Sequence, residues 1–139
     1  MNIIDKFKGD YFFLSNFANA PVSYKGITYK NNEAAFQAQK VLSLSEQQKF
    51  ASLPPNLAKR EGRRVTLRPD WEEVKYQIMY EICFAKFTQN KELRERLLAT
   101  GDEYLEEGNT WGDRIWGTVN GQGNNWLGKI LMQVRYEIK

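Results

Sequence analysis

The sequence predicts an α+β fold, built as a single compact domain over residues 1–139 with a small antiparallel sheet and several helices. Three observations carry this expectation. Strand-type alternation is concentrated near the start of the chain; capped segments with helical spacing fill most of the remainder; and residues 108–123 fit neither pattern. At 139 residues the chain is near the modal domain size and contains no internal repeat, low-complexity tract or linker.

Taken in order, Tyr11-Phe12-Phe13-Leu14 is a short aromatic run that reads as a strand. Val22-x-Tyr24 and Ile27-x-Tyr29 alternate on either side of Lys25-Gly26, as a hairpin requires. Ser15-Asn16-Phe17 forms a polar loop bracketed by aromatics. Asn31-Asn32 offers an N-cap to a helix over Glu33–Leu42, with Ala34, Ala38, Val41 and Leu42 at helical spacing. Ser45-x-x-Gln48 is a capping box for a short second helix that ends at Pro54-Pro55, and a third runs from about Asn56 to Arg64. Pro69-Asp70-x-x-Glu73 then opens the longest helix, Trp71 to Thr88. Its apolar stripe is Trp71, Val74, Ile78, Ile82 and Ala85, widened by Met79, Cys83 and Phe87. Asn90 caps a helix that turns Leu93, Leu97 and Leu98 inward; Thr100-Gly101-Asp102 breaks it, and Tyr104-Leu105-Glu106 returns to the sheet. The terminal helix begins near Asn124 or Asn125 and buries Trp126, Leu127, Ile130, Leu131 and Val134.

Composition excludes much chemistry. The chain has no histidine, so Ser-His-Asp and Cys-His catalysis and imidazole-dependent metal sites are ruled out, and activity should show no imidazole titration near neutral pH. Its one cysteine, Cys83, permits neither an internal disulfide nor a Cys-x-x-Cys pair, which favours a reducing, cytoplasmic setting. No metal or other cofactor is expected, and no apolar run approaches the ~20 residues of a membrane span. The net charge of +3 is too small to argue for nucleic acid by itself, although Lys59, Arg60, Arg63, Arg64 and Arg68 form a local basic segment. A solvated helix face and a phosphate contact both fit that segment.

Aromatic residues make up 14% of the chain, several of them in polar or glycine-rich surroundings where rings often stack on flat ligands. Gly108–Gly123 holds five glycines and two tryptophans in 16 residues. A loop of that length inside a compact domain is usually functional, and two large rings argue against disorder.

Two constellations stand out. Glu33, Phe36, Gln37 and Lys40 fall at i, i+3, i+4 and i+7, placing a carboxylate, a ring, an amide and an ammonium along one helical face. A surface salt-bridge row with one buried ring has the same spacing. The second is Asp113-x-x-Trp116, in which Asp113 also reads as a turn residue and Trp116 as a loop anchor. A carboxylate beside a tryptophan suits cleavage of a C–N glycosidic bond. The acid stabilises an oxocarbenium-like transition state or activates water, and the ring holds a flat base. Neither task needs histidine or metal.

The same segments, in the same order, carry a family resemblance. Ser15-Asn16-Phe17, Asn32–Lys40, Trp71-x-x-Val74-Lys75-x-x-Ile78-Met79, Lys86-Phe87, Leu98-x-Thr100-Gly101, Leu105-x-Glu107, Asp113-x-x-Trp116-Gly117 and the pattern from Gly123 to Arg135 together resemble the NADAR superfamily, the YbiA-like N-glycosidases. The resemblance runs over nearly the whole chain. It implies that family's α+β fold, with the Gly/Trp-rich stretch as active-site loop, and hydrolysis of N-glycosidic bonds in ribosylated compounds. The family's substrates include ribosylamino-pyrimidine phosphates of early riboflavin synthesis and ADP-ribosylated guanine bases in nucleic acid.

Carried across residue by residue, it implies Glu33 and Asp113 as the acids, with Trp71 and Trp116 as the rings. Asn16, Phe17, Phe36, Gln37, Lys40, Lys86 and Gly117 fall at positions expected to bind substrate, and Arg63 lies in a region expected to meet phosphate. The expected partner is a small ribosylated nucleotide or an ADP-ribosylated base, with no membrane. A non-catalytic module binding NAD or ADP-ribose would use the same residues. One departure matters: many relatives have Glu-His-Tyr-Phe-Gln where this chain has Glu33-Ala34-Ala35-Phe36-Gln37. The chemistry here must therefore proceed without that histidine. Arg114, beside Asp113, adds a group suited to phosphate or to keeping the acid charged.

Overall fold

Lys25 and Gly26 both adopt positive φ, 49° and 88°, the requirement of the two-residue turn whose twist matches paired strands. They join the strands Val22–Tyr24 and Ile27–Tyr29 in a computed structural model that describes residues 2–139. Numbered along the chain, the strands are β1 (Ile3–Ile4), β2 (Val22–Tyr24), β3 (Ile27–Tyr29) and β4 (Tyr104–Leu105). The helices are α1 (Asn32–Ala38), α2 (Leu44–Gln48), α3 (Pro55–Gly62), α4 (Trp71–Gln89), α5 (Lys91–Ala99) and α6 (Trp126–Glu137). The architecture is α+β, and the chain divides into two units. Asn16–Gln89 forms one; Asn90–Lys139 with the stretch up to Ser15 forms the other.

In the Asn16–Gln89 unit, β2 and β3 pair antiparallel with Val22 opposite Tyr29 and Tyr24 opposite Ile27. These four side chains are buried, while Ser23 and Thr28 face outward and share a hydroxyl hydrogen bond of 2.7 Å. The hairpin is held against α4: Tyr24 donates to Glu81 at 2.6 Å, and the Gln89 amide makes two 2.8 Å bonds to the Ser23 backbone. The α4 stripe behaves as its spacing predicts at Trp71, Ile78, Met79, Ile82, Cys83 and Phe87, all buried. Val74 and Ala85 are only half-buried, and Lys86 joins the buried set. Asp70 precedes the helix in a two-bond pair with Arg68, at 2.6 and 3.1 Å.

Several boundaries differ from expectation. Helix α1 starts where the cap predicts, the Asn31 side chain accepting from Ala34 N–H at 2.8 Å, but stops at Ala38. Turn-type bonds take over, Lys40 N–H to Gln37 O and Val41 N–H to Ala38 O, so Lys40 lies beyond the helix and Leu42 is exposed. The cap of α2 is Ser43, accepting from Glu46 N–H, rather than Ser45. The two serines share a hydrogen bond of 3.0 Å, and the earlier one takes the cap.

In the other unit, the run at Tyr11–Leu14 is a 3₁₀ helix, Gly9–Leu14, not a strand. Tyr11 and Phe12 are exposed and Phe13 and Leu14 buried, a pairing of neighbours that a period-two strand cannot produce. The true strand partner of Tyr104-Leu105 is Ile3-Ile4, in parallel register. The sheet expected as one antiparallel unit is therefore two separate pairs, one of each kind. Gly128 lets α6 approach β4, since a Cβ there would overlap the Leu105 carbonyl. Within α6, Leu127, Ile130, Leu131 and Val134 are buried as expected, but Trp126 is half-buried. In α5 only Leu97 is fully buried; Leu93 and Leu98 are half-buried.

Candidate functional site

Every residue of α1 is buried. A carboxylate placed in such a helix needs partners, because an isolated buried charge is costly. Glu33, 9% exposed, has one in the amide of Gln37 a turn later, whose Nε2 donates to Glu33 Oε2 at 2.6 Å. Its backbone N–H, which the first turn leaves without a helical acceptor, donates to Asn16 O at 3.0 Å. That bond ties the Ser15-Asn16-Phe17 loop to the start of α1. The Asn16 side chain is buried too, accepting from Asn32 Nδ2 at 3.3 Å and lying 3.5 Å from the Met79 sulfur.

Phe36 and Trp71 pack with ring centroids 5.1 Å apart and planes tilted by 51°. Phe17 lies under the Lys59 ammonium, 5.9 Å from its ring centre. Lys40 is half-buried, with its Nζ 3.4 Å from Gly62 O. Burial pulls its pKa below the usual lysine value; the Glu33 charge opposes that shift, and Arg63 and Lys75 add to it. Lys86 is 1% exposed, with its ammonium 5.0 Å from the Phe87 ring centre. Desolvation brings its pKa down to about 8, partly countered by Cys83. Of the basic segment, Arg60, Arg63 and Arg64 are exposed, while Arg68 is engaged by Asp70.

The structure thus brings nine of the expected residues into one unit: Asn16, Phe17, Glu33, Phe36, Gln37, Lys40, Arg63, Trp71 and Lys86. Glu33, Gln37 and Lys40 are linked directly or through charge, and Phe36 with Trp71 forms the aromatic pair. The surface salt-bridge row that the spacing also allowed is absent, because Glu33 and Gln37 face inward.

Asp113, Trp116 and Gly117 belong to the other unit, in the glycine-rich loop. Asp113 Oδ1 accepts from the backbone N–H groups of Ile115 and Trp116 at 3.0 and 2.9 Å, so the turn reading of this residue is correct as local structure. Its Oδ2 has no hydrogen-bond partner among the described residues. Asn109 brackets the same residue, donating to Asp113 O at 2.8 Å and accepting from Asp113 N–H at 3.1 Å. Trp116 is half-buried and meets Trp126 edge to face at 5.5 Å. Gly117 is required sterically, since a Cβ would overlap Glu107 O and approach Asn109 Nδ2 to 2.8 Å. Arg114 is exposed.

Sequence reasoning passed over Asn109 and Gly62. Asn109 carries only an i−4 spacing to Asp113, and a glycine at a helix end reads as a stop signal, so neither advertises a contact with a candidate site residue. Among the described residues no three His, Cys, Asp or Glu side chains cluster as metal ligands would, and no helix is long and apolar enough to cross a membrane.

Comparison with known proteins converges on one family. A model of the NADAR domain matches residues 5–139. The N-glycosidase YbiA of Escherichia coli K12 is 41% identical over 133 residues, covering 93% of this chain and 82% of its own. An N-glycosidase of Nostoc punctiforme is 39% identical over 136 residues, covering 93% of this chain and 86% of its own. A riboflavin biosynthesis protein of Vibrio vulnificus is 36% identical over 131 residues, or 91% of this chain and 35% of that one. The NMR structure of E. coli YbiA superposes with a TM-score of 0.87 at 39% identity, covering 99% of this chain and 84% of that one.

Proposed function

The chain belongs to the NADAR family, and from that membership we propose that it hydrolyses the C–N bond between ribose and a flat base in a ribosylated or ADP-ribosylated nucleotide-like substrate. The observation that carries the reading is the buried Glu33 carboxylate, fixed by Gln37 on the helix that also supplies Phe36 to the pair with Trp71. In the reaction, a water oxygen bonds to the anomeric carbon as the C–N bond breaks. The base leaves with the bonding pair and takes up a proton. The positive charge that develops on the sugar in between is what a fixed carboxylate stabilises.

Glu33 is one acid of this chemistry, and Asp113 holds the second role on the family resemblance, its turn leaving Oδ2 for a ligand. One activates water and the other stabilises the ribosyl cation or binds its hydroxyls. Trp71 and Trp116 hold the base or shape the site around it, and Lys40, Lys86 and the Arg60/Arg63 region address phosphate. Asn16, Phe17, Phe36 and Gly117 complete the binding residues. No cofactor enters the reaction as proposed, and a cytoplasmic location fits a chain with one cysteine.

Two substrates test the proposal: guanine-ADP-ribosylated DNA and a ribosylamino-pyrimidine phosphate, the latter suggested by the riboflavin name of one relative. Chromatography should show free base from one of them. On that substrate Glu33→Gln and Asp113→Asn should each lower kcat by about a hundredfold or more. Full activity in both variants sinks the assignment. Recovery of both compounds intact after long incubation, with binding seen by calorimetry, supports a module that binds without cleaving.

A further inference from the structure

Helices α1 and α3 meet at a point where one of them has no side chain. Gly62, the last residue of α3, is buried. A Cβ built on it would overlap Gln37 Oε1 and lie 2.6 Å from Gln37 Cδ. The same amide donates to Glu33 from its other end, at 2.6 Å. Gln37 Oε1 is buried without a hydrogen-bond partner among the described residues, although a buried unpaired acceptor ordinarily costs free energy. The amide thus has both ends committed, nitrogen to the acid and oxygen against a bare Cα. Lys40, the cation that feels the Glu33 charge, reaches Gly62 from another direction, its Nζ 3.4 Å from the glycine carbonyl.

From this arrangement we propose that Gly62 is a positioning residue for the hydrolysis, its missing side chain being what allows Gln37 to seat its amide on Glu33. The inference rests on the reading of Glu33 as an acid of the reaction, and it reassigns Gln37 from substrate contact to support of that acid. The conformation of Gly62 does not demand glycine, since the residue is helical and is not among the positive-φ glycines. Helix propensity alone would favour alanine there. What alanine cannot do is share space with Gln37. The amide must then swing aside, and a swing that clears Oε1 and Cδ draws the attached Nε2 from its place on Glu33.

The test is a double-mutant cycle on the substrate the protein cleaves, with Gly62→Ala, Gln37→Ala and the pair combined. Gly62→Ala should lower kcat about tenfold or more with KM within about threefold, because a displaced acid harms the chemical step more than binding. In the Gln37→Ala background, where Oε1 and Cδ are gone and only the Cβ of residue 37, 3.2 Å away, remains close, the same glycine substitution should change kcat by less than about twofold. A carbon-13 titration of labelled glutamate supplies a readout that needs no substrate. The Glu33 carboxyl should titrate at higher pH in both single variants than in the parent, since a hydrogen bond favouring its charged form is lost.

Undiminished kcat and an unmoved Glu33 titration in Gly62→Ala overturn the proposal, as does a penalty for Gly62→Ala that is equally large with Ala at position 37. If Gly62→Ala does not fold, the combined variant should fold and match Gln37→Ala; its failure to fold also overturns the proposal. Retained activity in Glu33→Gln is a different failure, that of the functional reading itself.

Discussion

The two acids are held by opposite means. Glu33 sits in a wholly buried helix and is gripped by another side chain, so its placement depends on packing from α3 through Gln37 and Gly62. Asp113 sits half-exposed in an irregular loop and is gripped by main chain, two backbone N–H groups on its carboxylate and Asn109 across its peptide groups. A side-chain grip fails when a distant residue changes volume. A turn-type grip fails only when the loop itself is rebuilt.

Substitutions can break or sharpen this contrast. The largest expected effect is the loss of about a hundredfold in kcat from Glu33→Gln or Asp113→Asn, already described. Stability should separate Asp113→Asn from Asp113→Ala. Asparagine keeps an oxygen for the Ile115 and Trp116 N–H groups, so its urea midpoint should stay near the parent's; alanine should cost about 1–2 kcal/mol.

Gly117→Ala attacks the main-chain grip. The group it would overlap is the Glu107 carbonyl, which cannot swing away as an amide side chain can, so about 3 kcal/mol should be lost in urea unfolding. Gly62→Ala should cost clearly less stability than this while harming kcat. Equal stability losses at the two glycines would mean that the side-chain and main-chain grips do not differ in this way.

Lys86 tests the buried side by pH. Its pKa is about 8 in the fold against 10.5 for the unperturbed group, so the folded state disfavours the charged form. The resulting penalty is present in full below about pH 8 and disappears as pH rises toward 10.5, a change of about 3 kcal/mol. Relative to Lys86→Met, the parent should therefore gain about that much stability across this window. A constant difference between the two proteins would show that Lys86 is not desolvated. The smallest effect belongs to Asn31→Ala, which removes the cap on Ala34 N–H and should cost about 1 kcal/mol.

Much of this was legible in the residues, and for identifiable reasons. Helix α4 announced itself through Pro69-Asp70 and a long apolar stripe, and the hairpin through alternation about Lys25-Gly26; both signals are local. The pairing of Ile3-Ile4 with Tyr104-Leu105 is not local, and two-residue strands carry no period to detect. The run Tyr11–Leu14 misled because four consecutive apolar side chains look alike whether alternate or adjacent ones are buried. In the site, Glu33 and Gln37 were visible at i, i+4, but the spacing could not say whether the pair faced water or core. Gly62 was invisible because its role lies in a gap filled by a residue from another helix.

The pairing of β1 with β4 bears on the order in which the chain takes shape during synthesis. Ile3 leaves the ribosome roughly a hundred residues ahead of its partner Tyr104, a delay of about 5–20 s at ordinary elongation rates. The segment Asn16–Gln89, contiguous in sequence, emerges whole within that interval. The helix carrying Glu33 can therefore find its neighbours while the first strand still waits for the second half of its sheet.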